Sequence, residues 1–283
     1  MRSDDDNAVG NPESGAVLTA PSLAIEHEGI VFSIAALRIL LAQSASAEVR
    51  RRFESEGSVF ETIATNAEFQ HAFLGSYVRA NAGYFAALCA QMPAPCRRIL
   101  DIGCGLGLLD LLLYRAARGA KPELFLFDKS VVPEALMTAP IAPTGFNDSY
   151  VFTASLQEAA TFLERNGVAR HDIRTCEVGT WTIPAGAPFD LVFSRKSWGF
   201  HYPLSQYLDE VAASVSAQGV VITDVRAGTG GEDLLRRYFA DVRVLLTGSK
   251  SALVAARQPI PPAGRGLAAD APAGRHDDAQ RAQ

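Results

Sequence analysis

Residues 99 to 107 read Ile-Leu-Asp-Ile-Gly-Cys-Gly-Leu-Gly, and no other stretch of the chain restricts its fold as tightly. An apolar run reaches Asp101, turns on Gly103, Gly105 and Gly107, and resumes as an apolar segment from Leu108 to Leu113. The pattern predicts a strand, a tight turn and a helix. Glycine suits such a turn because the backbone must take angles that other residues resist. A side chain there would also keep a ligand from touching the main chain.

Three kinds of nucleotide-like loop share this look, and spacing separates them. A phosphate-cradling P-loop needs Lys-Ser or Lys-Thr after its last glycine, where this chain has Leu108 and Leu109. The dinucleotide fingerprint places its third glycine at position 108 and requires no acid two residues before the first. Here the glycines run Gly-x-Gly-x-Gly behind Asp101. The pattern resembles motif I of the class I S-adenosylmethionine-dependent methyltransferases. That resemblance implies that the backbone of Gly103, Cys104, Gly105 and Gly107 approaches the methionine moiety of S-adenosyl-L-methionine, while Asp101 orients its ammonium group. A carboxylate favours a cationic sulfonium cofactor where it would repel a pyrophosphate.

A second acid supports the same cofactor. The apolar run Leu124 to Phe127 ends in Asp128, 21 residues beyond Gly107, after a segment long enough for a βαβ crossover. A carboxylate at the tip of the second strand is placed to accept hydrogen bonds from both ribose hydroxyls. The competing reading is a solvated strand-end acid.

The remaining pattern alternates in the α/β manner. Residues 1–21 are polar and expected to be disordered, and residues 22–90 are expected to form an N-terminal helical cap or lid, with Ile30 to Leu41 and Phe69 to Leu88 as its apolar stretches. Residues 91–257 then supply strands at Ile173 to Val178, Phe189 to Ser194 and Gly219 to Val225, with helices near Ser155 to Asn166 and Pro203 to Ser216. Lys129 to Asp172 is a 44-residue connection, long enough to hold an insertion near the pocket. Tyr238 to Leu246 and Ser251 to Arg257 flank a Thr-Gly-Ser-Lys turn and predict an antiparallel hairpin. Residues 258–283, rich in Pro, Ala, Gly and Arg, read as a disordered tail. The expected fold is α/β and Rossmann-like: a seven-stranded, mostly parallel sheet with an antiparallel terminal hairpin, similar to the class I methyltransferase topology, plus the N-terminal helical segment.

Composition limits the partners. A net charge of −5 argues against a nucleic-acid partner, since duplex binding needs a basic face, and Arg50-Arg51-Arg52 is the only basic run. No apolar run reaches the roughly 18 to 20 residues that span a bilayer, and the N-terminus lacks an apolar signal core, so the chain reads as soluble and cytoplasmic with no membrane partner. Cys89, Cys96, Cys104 and Cys176 lie far apart without metal spacing and read as reduced thiols. Asp190 sits inside a strand, the loop after it carries no acid and Asn147-Asp148 reads as a turn, so no metal is expected. A homodimer is left open.

In an open α/β sheet the ligand binds beyond the carboxyl ends of the strands. After the third strand of the α/β region stand Glu177 and Val178, which match the family positions for an acid on the adenine amino group and an apolar neighbour on the ring; a plain loop acid is the alternative. After the fourth comes the densest polar and aromatic run, Ser194-Arg195-Lys196-Ser197-Trp198-Gly199-Phe200-His201-Tyr202-Pro203. Together with the preceding Phe-Asp-Leu-Val-Phe it resembles a group of bacterial class I enzymes described as sugar O-methyltransferases, over about residues 65 to 257. That resemblance implies cofactor contact at Ser194. Methyl transfer to a hydroxyl needs alignment and removal of a proton, for which His201 has the right intrinsic pKa, although a structural histidine fits the position too. Trp198 and Tyr202 are candidate walls of an acceptor pocket, or core. Arg195 and Lys196 depart from the apolar residues expected there and point to an anionic acceptor or to a basic loop surface. The N-terminal helices contribute His71, a second candidate base, with Tyr77, Asn81 and Tyr84; Asn81 and Tyr84 share a helix face.

The expected function is S-adenosylmethionine-dependent methylation of a small-molecule acceptor, O-methylation of a sugar-like or natural-product hydroxyl first and N-methylation of an amine or guanidine second. A nicotinamide-dependent oxidoreductase and a non-catalytic cofactor-binding protein are the alternatives of other classes.

Overall fold

The computed structural model describes residues 24–33, 35–37, 40, 66–119, 121–130, 155–186 and 188–262. Five runs from residue 98 onward form the parallel part of the sheet, and in all but the edge run Ile173–Glu177 the apolar residues stand largely at successive rather than alternate positions, the mark of strands buried on both faces. They form β3 (Arg98–Ile102), β4 (Glu123–Asp128), β5 (Ile173–Glu177), β6 (Phe189–Ser194) and β7 (Val215–Arg226). All five lie parallel, and β9 (Ser251–Pro259) then runs antiparallel to β7 with β8 (Phe239–Thr247) outside it. The strand order is β5-β4-β3-β6-β7-β9-β8, and the seven strands, mostly parallel with an antiparallel terminal hairpin, match the expected fold.

Successive strand residues feed opposite cores. Ile99 and Leu191 join a cluster on one face, covered by α1 (Ala67–Gln91), α2 (Leu108–Ala116) and α3 (Leu156–Arg165). Leu100 and Val192 join the other, covered by α4 (Leu208–Ser214) and α5 (Gly231–Tyr238). The expected helix from Pro203 to Ser216 is shorter, a 3-10 turn at Leu204–Gln206 followed by α4, and β7 begins four residues early at Val215. Helix α5 carries Glu232, Asp233, Arg236 and Arg237 around a single buried leucine, Leu235. So little of it is apolar that the sequence pattern gave no sign of it.

One expectation is overturned. The apolar stretch from Ile30 was read as helical, but Ile30–Ser33 is a strand, β2, paired antiparallel with β1 (Ala24–His27). Glu28 and Gly29 both take positive φ, 51° and 72°, the two-residue turn that matches strand twist. Ile30 and Phe32 are buried while Val31 and Ser33 are half-buried, the period of two that a strand requires. Residues 35–37 and 40 are helical, so the helical reading holds only beyond the hairpin. The hairpin is tied to the sheet by Asn166 at the end of α3, whose side chain acts as a strand partner. Its Oδ1 accepts from Val31 N at 2.8 Å, and its Nδ2 donates to Val31 O at 2.8 Å and to Phe162 O at 2.9 Å.

The expected tails, Arg50-Arg51-Arg52 and Asn147-Asp148 lie outside the described residues, except that β9 continues through Pro259, where the C-terminal tail was expected to begin at 258. All four cysteines are free, and burial raises each thiol's pKa. No described helix is long and apolar enough to cross a membrane. Replacing Asn166 by alanine removes three hydrogen bonds and strands the Val31 amide, so urea denaturation is expected to show a loss of about 2–3 kcal/mol; a loss below about 0.5 kcal/mol would show that the hairpin is held by packing alone.

Candidate functional site

The chain leaves β3 and enters α2 at the point where the sheet order reverses, with β4 on one side of β3 and β6 on the other. Ligands of open α/β sheets bind in the crevice at such a switch point. Gly103, Gly105 and Gly107 all take positive φ, 82°, 57° and 80°, and Gly107 caps α2. A Cβ on Gly103 would overlap the side chain of Ser197 in the loop after β6. Glycine is required here by both angle and space. Gly103 N donates to Phe127 O at 2.7 Å, and Gly105 N donates to a carboxylate oxygen of Asp128 at 2.9 Å. The turn is therefore held against the tip of β4 by its own amides.

Acids surround this turn. Asp101 and Asp128 are buried at the ends of β3 and β4, and Asp110, in the first turn of α2, is fully buried. Burial and the neighbouring Asp110 carboxyl raise the pKa of Asp101 well above the carboxylate range. Burial takes Asp110 up to about 7 and Asp128 up to about 6, the latter against two backbone donors, Gly105 N and Lys129 N. Asp110 stands nowhere in the motif and was not singled out by the sequence reading, because an acid one turn into an amphipathic helix ordinarily faces water. Both its carboxyl oxygens are buried without a hydrogen-bond partner.

A cleft opens beside the turn, lined by Gly103, Asp128, Val178, Ser197, Tyr202 and Tyr207 among others. Val178, one of the expected cofactor residues, thus lines the cleft. Glu177, the last residue of β5, is paired in register with Asp128, and its Oε1 accepts from Ser130 N at 2.8 Å. Tyr207, whose ring meets Phe127 edge-on at 5.2 Å, was missed because it follows the aromatic run in a segment read as helix.

The loop after β6 divides between structure and site. Ser194, expected at the cofactor, is buried and donates to Ile102 O at 2.7 Å while accepting from Trp198 N at 2.9 Å, so its hydroxyl ties β6 to β3. Trp198, expected to wall the acceptor pocket, is fully buried in the core with its indole N–H on Leu204 O at 2.9 Å, and it borders the cleft from beneath. The core reading fits it better. His201 is half-buried, its ring edge-on to Phe200 at 4.9 Å. Burial, then the charges of Arg226 and Lys196, lower its pKa and leave it neutral at physiological pH.

A polar latch joins α1 to this loop. Asp224, buried near the end of β7, accepts from the Tyr84 hydroxyl at 2.8 and 3.0 Å, from Lys196 N at 3.0 Å and from Ser251 Oγ at 3.3 Å. The Arg195 guanidinium lies 4.5 Å over the Tyr84 ring and donates to Asn81 Oδ1 and to Ala80 O. Tyr84 and Asn81 thus meet the loop together from one face of α1. Burial, with the Asp224 charge second, pushes the Tyr84 phenol up to about 12, so it stays protonated and donates. The sequence reading passed over Asp224 as a strand residue, although a carboxylate inside the run Gly219 to Val225 was a usable signal. His71 does not join the site residues: it is exposed on α1, and its ring faces His27 of the hairpin at 5.9 Å.

No protein-family model and no curated protein sequence matches the chain. Solved structures similar to it include precorrin-6y C5,15-methyltransferase from Geobacter metallireducens, at 14% identity over 61% of this chain and 86% of that one, with a TM-score of 0.43. An S-adenosylmethionine-dependent O-methyltransferase from Thermotoga maritima is 13% identical over 63% and 65%, with a TM-score of 0.43. A ribosomal protein L11 methylase from Lactobacillus delbrueckii subsp. bulgaricus is 14% identical over 62% and 77%, with a TM-score of 0.41. With TM-scores below 0.5, these likenesses have no bearing on the chemistry of the site.

The raised acids give the ligand-free protein a defined pH dependence. Below about pH 3.8 Asp110 and Asp128 hold protons in both folded and unfolded chains. As pH rises from there, the unfolded chain ionises first, and stability is lost until the folded-state values of about 7 and 6 are passed. Asp110→Asn removes one of these groups, so the fall in urea-denaturation stability between pH 4.5 and 7.5 is expected to shrink by on the order of 3 kcal/mol. An identical pH dependence in the variant would show that Asp110 ionises normally.

Proposed function

We propose that this protein is an S-adenosyl-L-methionine-dependent methyltransferase acting on a hydroxyl of a small polar metabolite, sugar-like or of natural-product type. The observation that carries the reading is the sign of the charge at the glycine turn. Asp101, Asp110 and Asp128 are all carboxyls, and the charges that act on Asp101 and Asp128 are those of further carboxyls, Asp110 and Glu177 among them. A pyrophosphate would be repelled there, whereas a ligand carrying an ammonium and a sulfonium gains. The residues present fit this cofactor. A glycine turn that admits no Cβ at Gly103 lets the backbone approach it, the buried Asp110 carboxyl lacks a partner, and the Asp128 oxygens each keep a lone pair beyond their backbone donors.

In this reading Asp128 holds the ribose hydroxyls, Glu177 and Val178 hold the adenine edge and face, and Asp101 holds the ammonium end. When bound, the cofactor supplies an electrophilic methyl group. The chain supplies alignment and a base. His201 is neutral, half-buried and on the loop that follows the switch-point strand, so its ring takes the acceptor's hydroxyl proton as the oxygen attacks. Tyr202 lines the cleft beside it, and Arg195 and Tyr84 fix the helix that roofs this end. An acceptor nitrogen, already carrying a lone pair, would need no such base, which makes His201 the discriminating residue between the two acceptor classes.

Thermal shift with S-adenosylhomocysteine and, separately, with NAD tests the cofactor. The expected outcome is stabilisation by the first alone, since a ligand bound only by the native state raises the apparent midpoint. Stabilisation by NAD alone would sink the reading. Asp128→Ala is expected to weaken S-adenosylhomocysteine binding by at least about tenfold through lost charge-assisted bonds. With a hydroxyl acceptor in hand, His201→Ala is expected to lower kcat by about 10²–10⁴ while binding is kept; an unchanged kcat would remove its role as base.

A further inference from the structure

Resting on the cofactor reading above, we propose that Asp110 shares a single proton with Asp101 beneath the glycine turn, and that the ammonium group of the bound ligand displaces this proton into solvent. The placement carries the argument. Asp110 sits in the first turn of α2 and Asp101 next to the end of β3, both buried, on the two sides of Gly103 to Gly107. Apart from its own backbone N–H, the Asp110 carboxyl has no donor from the protein at either oxygen. Its neighbour is the Asp101 carboxyl, close enough for a proton on one to bond the other. With both ionised, neither acid has anything to accept from the other. One proton between them satisfies both, as two carboxyls sharing a buried site require.

The groups that face the pair supply no compensating cation. From β4 comes Asp128, a third carboxyl, and from the turn comes the Cys104 thiol, held neutral by burial and by the three acids. From α1 comes the Tyr77 phenol, pushed up to about 12 by burial and so also neutral. From α3 comes Leu163, which is apolar and reaches within 3.6 Å of the Cβ position on Gly107. Arg195 acts on Tyr77 and is held by Asn81 and Ala80. The proton is thus the positive charge that stands in for the ligand's own. Asp110 acts through Asp101 and is a positioning residue: it sets the charge that Asp101 presents.

The sign of the linkage follows. A cation beside the pair favours its ionised form, so binding releases a proton wherever the free protein holds one and the complex does not. Affinity for an ammonium-bearing ligand therefore rises with pH, by up to about tenfold per pH unit for the one shared proton, over the range in which the free pair still holds it. A ligand without the ammonium group escapes this effect, although it still meets Asp128.

Calorimetric titration of the full chain with S-adenosylhomocysteine and with 5′-methylthioadenosine, in buffers of different ionisation enthalpy between pH 6 and 8, tests this. The second ligand keeps the nucleoside thioether and lacks the amino-acid end, so it corrects for any proton released at Asp128. At pH 8, above the first ionisation of the pair at about 7, the wild-type protein is expected to release close to one proton more with S-adenosylhomocysteine than with 5′-methylthioadenosine. In Asp110→Asn, whose amide imitates the proton-sharing state permanently, that difference and the pH slope are expected to vanish. Equal proton release by the two ligands in the wild type overturns the proposal while leaving the cofactor reading intact, and so does a difference that survives in the variant. If Asp110→Asn does not fold, the wild-type comparison decides alone. Failure of both ligands to bind overturns the cofactor reading and the proposal with it.

Discussion

Gly103 touches three parts of the molecule at once. Its amide bonds Phe127 O, its missing side chain leaves the space that Ser197 fills, and its positive φ turns the chain from β3 toward α2. The turn is thereby fixed between β4 and the loop after β6, and those are the two elements that diverge at the switch point. Asp128 answers from the β4 side by accepting the Gly105 amide. Any residue other than glycine at 103 would push the β6 loop off the turn and take Ser197, Tyr202 and the cleft with it. The position of the site thus depends on one close approach of backbone to side chain.

The β6 loop is constrained from its other end by Asp224. Three donors converge on that carboxylate, from α1, from the loop backbone and from β9. A buried carboxylate with several donors is held by them as much as it holds them. Helix α1 precedes the sheet in the chain, packs on it through its apolar face and is tied at its last residue by Arg257, which donates to Gln91 O. Through Tyr84 and Asn81 it is registered to the strand tips, so the roof of the site and its floor are set by the same polar contact. Ser194 adds a third tie, from β6 to the carbonyl of Ile102 at the foot of the turn. That hydroxyl was expected to meet the cofactor, and its internal use shows how much of the conspicuous run from Ser194 to Pro203 goes into holding the loop.

What the sequence made legible follows from the range of the interactions involved. The parallel strands other than β5 show as largely apolar runs, because burial on both faces leaves little polar alternation, and the terminal hairpin shows through its Thr-Gly-Ser-Lys turn. The hairpin at Ala24–Ser33 did not show. Ile30, Phe32, Ala36, Leu37 and Leu40 are all buried, and their spacing passes from a period of two into a helical one within six residues, which a single window blurs. Helix α5 has too few apolar residues to register. In the site, Asp101, the glycines and Asp128 were legible because their spacing is local to one βαβ unit. Asp110 and Asp224 were not, since their importance comes from burial against distant strands. Trp198 illustrates the converse: an aromatic residue in a polar loop looks like a ligand wall until its indole is seen bonded inside the core.

The same burial gives the turn its chemical character. Three carboxyls gathered in a low-dielectric site destabilise the ionised, ligand-free protein, and folding tolerates them only because protons remain bound or because a cation arrives. Packing explains nothing of this arrangement, since leucine in place of Asp110 would fill the space under α2 without an unmet acceptor. A site that maintains such a cluster discriminates by charge before it discriminates by shape: an anionic dinucleotide meets repulsion where an amino-acid-bearing sulfonium meets attraction. Product and substrate of a methyl transfer share the ammonium end and differ in the sulfonium charge. Under the proposed function the part of the binding energy set by Asp101 and Asp110 is common to both, and preference for the methylated form has to arise nearer the transferred group, on the side of the cleft lined by Ser197 and Tyr202.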